Sequence, residues 1–107
     1  MTEAQSTSLR RAVIVDPLGL HMRCAARLVT IAQSFRSEIW VTAKGQTANG
    51  KSLIDLAILA AECGTALDIR ADGPDAEDAA SALAALIAAG LDADGPEATG
   101  SAIPGQG

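Results

Sequence analysis

Asp16-Pro17-Leu18-Gly19-Leu20-His21-Met22-Arg23-Cys24-Ala25 decides how this chain is read, because a turn signal runs straight into a helix start with the only histidine at the junction. Pro17 and Gly19 break regular structure. The run Ala25 to Ala32 that follows has apolar residues at helical spacing. His21 therefore falls at or beside a helix N-cap. The first N–H groups of a helix lack internal partners and carry the positive end of its dipole, so an anion placed there meets ready donors. A neutral imidazole nitrogen is a nucleophile. Together these features make His21 a candidate phosphoryl acceptor. Arg23 is an added cation, and the start of the helix at Met22, Arg23 and Cys24 is the phosphate-stabilising element.

Before this stretch, Leu9 to Val15 reads as a first strand. After it, Ala25, Leu28, Val29, Ala32 and Phe35 form one apolar stripe, which leaves Arg27 and Gln33 exposed. Glu38 to Ala43 alternates as a second strand with Ile39, Val41 and Ala43 on one face and Trp40, a partly covered sheet residue, on the other. A turn at Lys44-Gly45 leads to a short third strand, Gln46 to Asn49, paired with the second as a hairpin. Ser52, with Asp55 three residues on, resembles a capping box. The stretch Leu53 to Ala61 is apolar nearly all round, so a short helix there leaves Leu53 and Ile54 exposed near His21 as a docking patch. Gly64 fits the C-cap of that helix, and Leu67, Ile69 and Ala71 alternate in a fourth strand. Asp75 caps a third helix, with Ala76, Ala79, Ala80, Leu83, Leu86 and Ile87 buried and Gly90 as its stop. Periodicity alone indicates an α+β domain, and the order β-α-β-β-α-β-α fits an antiparallel four-stranded sheet with three helices on one face, an open-faced β-sandwich. Residues 1–8 read as a flexible leader, 9–91 as the domain and 92–107 as a disordered Gly/Pro-rich tail.

The 107 residues suffice for one small core, and one Phe, one Trp and no Tyr mean that it is built from aliphatic side chains. So few aromatics argue against base stacking, and a net charge of −5 argues against nonspecific nucleic-acid binding. The charge is uneven. Arg10, Arg11, Arg23, Arg27, Arg36, Lys44 and Lys51 all precede Asp55, whereas ten of the 13 acids lie from Asp55 onward. In an interleaved small domain this reads as an electropositive face around His21 that attracts an acidic or phosphorylated partner, or else as an ordinary solvated surface. Cys24 and Cys63 show no metal-ligand or CxxC spacing, so no metal site is expected. No signal segment or membrane-length apolar run is present, which places the chain in the cytoplasm with both thiols reduced. Without a nucleotide-binding glycine loop or a metal cluster, the chain is not expected to be a self-contained hydrolase or kinase, and no cofactor is expected.

Gly19-Leu20-His21-x-Arg23, followed by a small residue and two alanines, resembles the active-site motif of HPr, the histidine-containing phosphocarrier family of the bacterial phosphotransferase system. Asn49-Gly50-Lys51-Ser52-Leu53-Ile54-Asp55-Leu56 is similar to the family's entry into its second helix, and Gly64 to Gly73 to its last loop and strand. The resemblance implies a carrier, not an enzyme. It takes phosphate from phosphorylated enzyme I onto a ring nitrogen of His21, assisted by Arg23, and passes it to an enzyme IIA domain. It also implies partner contact through Met22, Leu53 and Ile54; a monomer without membrane insertion is expected, though the sequence leaves oligomeric state open. Ser52 matches a position that a dedicated serine kinase phosphorylates in some bacteria, so the alternative function is a regulatory protein-binding module controlled at Ser52. The family usually has alanine and proline where this chain has Met22 and Cys24. Cys24, three residues after His21, lies on the same helix face and reads either as a small buried side chain or as an oxidisable thiol that gates the histidine.

Overall fold

The computed structural model describes residues 6–91, so the expectations for residues 1–5 and for the tail 92–107 lie outside the described residues. The elements run β1 (Ser6–Val13), α1 (Met22–Ala32), β2 (Glu38–Ala43), β3 (Gln46–Asn49), α2 (Leu53–Leu59), β4 (Ala66–Gly73) and α3 (Ala76–Ala89). The strands form one sheet in the order β1-β4-β2-β3, antiparallel at every pairing. Ile39, Val41, Leu67, Ile69 and Ala71 point to one side, where they meet Leu28, Leu83 and Ile87 of the helices. Alternation decides this side, since each strand residue between them faces the open surface of the sheet. The small residues Ala76, Ala79 and Ala80 are fully buried, which lets α3 lie close to the sheet.

Four boundaries differ from the sequence reading, and each has a local cause. β1 begins at Ser6 rather than Leu9, because pairing to Gly73, Asp72 and Ala71 uses backbone groups and needs no apolar side chains. Residues 6–8 are thus paired strand rather than irregular chain. Its ladder stops at Val13. α1 ends at Ala32, and Phe35 reaches the core from beyond the helix after two tight turns, Ser34 N–H to Ile31 O (3.0 Å) and Phe35 N–H to Ala32 O (3.1 Å). α2 stops at Ala60, in the left-handed conformation with φ 49°, rather than at Gly64. Gly64 instead serves the turn closed by Thr65 N–H to Glu62 O (3.0 Å).

Asp75 occupies the N-cap of α3 but makes no side-chain cap bond to it. Its carboxylate reaches across to the start of β2, where it accepts from the Ser37 hydroxyl and from the backbone N–H of Ser37 (2.8 Å) and Arg36 (2.9 Å). The Ser37 hydroxyl, aided by those two amides, holds the Asp75 carboxyl below the usual carboxylate range while burial works the other way. A lowered folded-state value stabilises the fold above the unfolded carboxylate pKa of about 4, and that contribution disappears as pH falls through the folded value. We expect Asp75→Ala to lower stability by about 1–2 kcal/mol at neutral pH, as loss of a charged acceptor for buried donors does. In denaturant titrations its difference from wild type should shrink as pH falls into the acid range, and a constant difference from pH 7 to pH 2 would refute the assignment.

Candidate functional site

The turn before α1 is pinned before the histidine is reached. Gly19 N–H donates to Asp16 O (2.9 Å) and Leu20 N–H donates to Ala61 O (2.8 Å) in the segment after α2. Gly19 has φ 73°, and a Cβ on it would stand 2.6 Å from Ala61 O and 2.9 Å from Glu62 Cα. Only glycine satisfies both the left-handed backbone and this approach. Asp16 is buried, and its carboxylate accepts the amide of Leu91 (2.9 Å).

His21 then forms the N-cap of α1, with its carbonyl accepting Ala25 N–H (2.8 Å) and its Nδ1 accepting Arg23 N–H at 3.3 Å. A backbone amide can only donate, so Nδ1 holds a lone pair and the neutral ring carries its proton on Nε2. Nε2 lies 3.4 Å from Cys24 Sγ. The ring is half-buried, Met22 and Arg23 are exposed and Cys24 is buried completely. The arrangement offers a ring nitrogen directed at a helix N-terminus, with the exposed Arg23 two residues further along the chain.

The electropositive face is smaller than the sequence suggested. Arg11 pairs with Asp68 (2.6 Å) on the open side of the sheet, and Arg10 reaches Glu77 of α3 (3.8 Å). Lys51 donates to Phe35 O (2.8 Å) beyond the far end of α1, and Arg36 follows that same end. Arg23 and Arg27 are the cations on α1 itself, and Arg27 is half-buried rather than exposed.

α2 buries only Leu56. Leu53 and Ile54 are exposed as expected, and sequence reading missed Ile58 and Leu18. Leu18, Met22, Ile54 and Ile58 are between 58% and 78% exposed. Ile58 lies one turn after Ile54, so helical spacing already contained that signal. A shallow cleft of about 350 Å³ separates the His21 turn from α2, lined by Leu18, Leu20, His21, Met22, Ala57 and Ala61 among others. Ser52 caps α2 by accepting Asp55 N–H (3.2 Å), but the Asp55 carboxylate accepts from Asn49 N–H (3.3 Å) instead of closing the box on Ser52. Ser52 N–H is already given to Asn49 O.

Among the described residues no three His, Cys, Asp or Glu side chains group to hold a metal, and no helix is long and apolar enough to cross a membrane. Among the described residues, Cys24 and Cys63 form no disulfide.

The described residues thus form a four-stranded open-faced sandwich with a histidine at a helix N-terminus. The family model for the PTS HPr component phosphorylation site matches residues 9–89. The phosphocarrier protein HPr of Haemophilus influenzae is 49% identical over 74 residues, covering 69% of this chain and 87% of that protein. Its counterpart in Neisseria meningitidis serogroup A is 42% identical over 74 residues, covering 69% and 83% respectively. The crystal structure of HPr from Bacillus anthracis is similar at a TM-score of 0.73 and 34% identity, over 77% of this chain and 98% of that one. The chain belongs to the HPr family. Its role is that of a phosphocarrier of the phosphotransferase system, not of an enzyme.

Proposed function

We propose that His21 is the phosphorylated residue and that the chain shuttles phosphate in the cytoplasm from phosphorylated enzyme I to enzyme IIA domains. The observation that carries this reading is the Nδ1 lone pair directed at the first turn of α1. In the inward step the Nδ1 lone pair attacks phosphorus, the donor's N–P bond breaks, and its electrons remain on the donor nitrogen. The amides at Met22, Arg23 and Cys24 and the Arg23 guanidinium stabilise the incoming oxygens, with Arg23 N–H passing from Nδ1 to a phosphoryl oxygen as the bond forms. Leu18, Met22, Leu53, Ile54 and Ile58 supply the apolar surface on which donor and acceptor dock. The test is incubation with enzyme I and phosphoenolpyruvate. One acid-labile phosphate per chain is expected, and its transfer to an enzyme IIA domain follows. A competent donor that leaves no label overturns the reading.

A second reading makes Ser52 a regulatory phosphosite. What favours it is position, since Ser52 begins α2 and is followed at once by the exposed Leu53 and Ile54. A phosphate there suits the helix N-terminus and places charge beside the apolar patch. We expect Ser52→Asp to keep the cap and slow phosphate uptake by His21. Ser52→Ala should lose about 1 kcal/mol of stability in thermal melts with uptake unchanged. Equal uptake rates for Ser52→Asp and wild type would remove this reading.

A further inference from the structure

The sulfur of Cys24 stands 3.4 Å from His21 Nε2, and Cys24 has no exposed surface. Burial has two consequences. It takes the thiol out of reach of solvent oxidants, so the redox gate considered from sequence finds no accessible sulfur in this state. It also fixes the sulfur in place, because Cys24 is wedged in the same core cluster as Ala25 and Leu28, while the ring it faces is half-buried.

We propose that Cys24 is a positioning residue for phosphoryl transfer. Its sulfur accepts the Nε2 proton of neutral His21 and holds the ring in the tautomer whose Nδ1 lone pair faces the helix start. An imidazole has two neutral tautomers, and the bond made by one nitrogen selects the state of the other. Here the two ring nitrogens have opposite partners, a donor amide at Nδ1 and a sulfur at Nε2. The amide admits only the tautomer with a lone pair on Nδ1, and the sulfur, able to donate or accept, matches it by accepting. During transfer, Nε2 keeps its proton while Nδ1 gains the N–P bond, so the phosphorylated ring is cationic and bonds more strongly to the sulfur. In the outward step the N–P bond breaks, its electrons return to Nδ1, and a neutral imidazole still protonated at Nε2 is left. No oxidant or further reactant enters.

This inference rests on His21 being the phosphorylated residue, and the test separates the two. In protein labelled with 15N, the ring nitrogens of His21 are read by NMR at mildly alkaline pH, with no phosphate donor present. Wild type should show a lone-pair nitrogen at Nδ1 and a protonated nitrogen at Nε2. Cys24→Ala, which keeps the Arg23 amide at Nδ1, should move both signals part of the way toward the other tautomer and slow phosphate uptake by about two- to tenfold, the worth of one modest hydrogen bond. Cys24→Ser, whose hydroxyl oxygen also accepts, should restore both. A wild-type ring protonated at Nδ1 overturns the proposal without recourse to any variant. So do ring signals in Cys24→Ala equal to those of wild type, or a Cys24→Ser that behaves like Cys24→Ala. A wild type with the expected tautomer that takes up no phosphate overturns the carrier reading of His21 and leaves the tautomer assignment standing.

Discussion

His21→Ala, mixed with enzyme I and phosphoenolpyruvate, should acquire no acid-labile phosphate while its fold persists. The histidine has two separable roles. As N-cap it accepts Arg23 N–H at 3.3 Å, a long bond whose loss lowers stability by about 1 kcal/mol or less. As nucleophile it is irreplaceable, because a phosphoryl acceptor needs the ring lone pair. His21→Asn separates these roles, since asparagine is among the best N-caps and has no nucleophilic nitrogen. It should melt near the wild-type temperature and still take up nothing. Acid-labile label on either variant would move the phosphorylation site elsewhere.

Gly19→Ala should unfold the protein earlier by about 2–3 kcal/mol, the scale of a strained backbone position that its surroundings enforce. For a domain of this size that corresponds to a melting temperature lower by about 10–20 °C. The added methyl meets main-chain atoms of Ala61 and Glu62, and main chain cannot rotate away as a side chain can. Relief requires Leu20 to release Ala61 O, which shifts the residue directly before His21. Phosphate uptake should therefore fall even at temperatures where the variant is folded. Gly45→Ala is the control, because Gly45 has φ 80° and nothing within 4 Å of the new carbon. Backbone strain alone, about 1 kcal/mol, is expected there with uptake unchanged. Equal effects of the two substitutions would mean that the close approach at Gly19 is unimportant.

The sheet was legible where one face is buried. Glu38–Ala43 and Gln46–Asn49 coincide with their reading, because Ile39, Val41, Ala43 and Ala48 are buried in alternation with more exposed neighbours. Gly90 ends α3 as read. His21 at the helix start was legible too, since Pro17, Gly19 and the apolar run fix that junction locally. What escaped was decided by partners distant in sequence. Asp75 looks like a cap for α3, yet its oxygens are claimed by Arg36 and Ser37, 38 or 39 residues away. Nothing near Ala60 announces a helix end, because the stop leaves Ala61 O available to Leu20. The cations were miscounted around His21 because adjacent residues of a strand face opposite ways, which sends Arg10 toward α3 and Arg11 to the open surface.

The carboxylate of Asp16 grips the amide of Leu91, so the exit of α3 is tied to the turn that presents His21. Ser6 lies at the opposite end of β1, about 25 Å along the strand. A fluorescent reporter attached within the last turn of α3 would therefore sit beside the working end of the molecule and crowd the proteins that visit it. The same reporter attached at the exposed Ser6 would sit at the remote end, so labelling for transfer measurements belongs there.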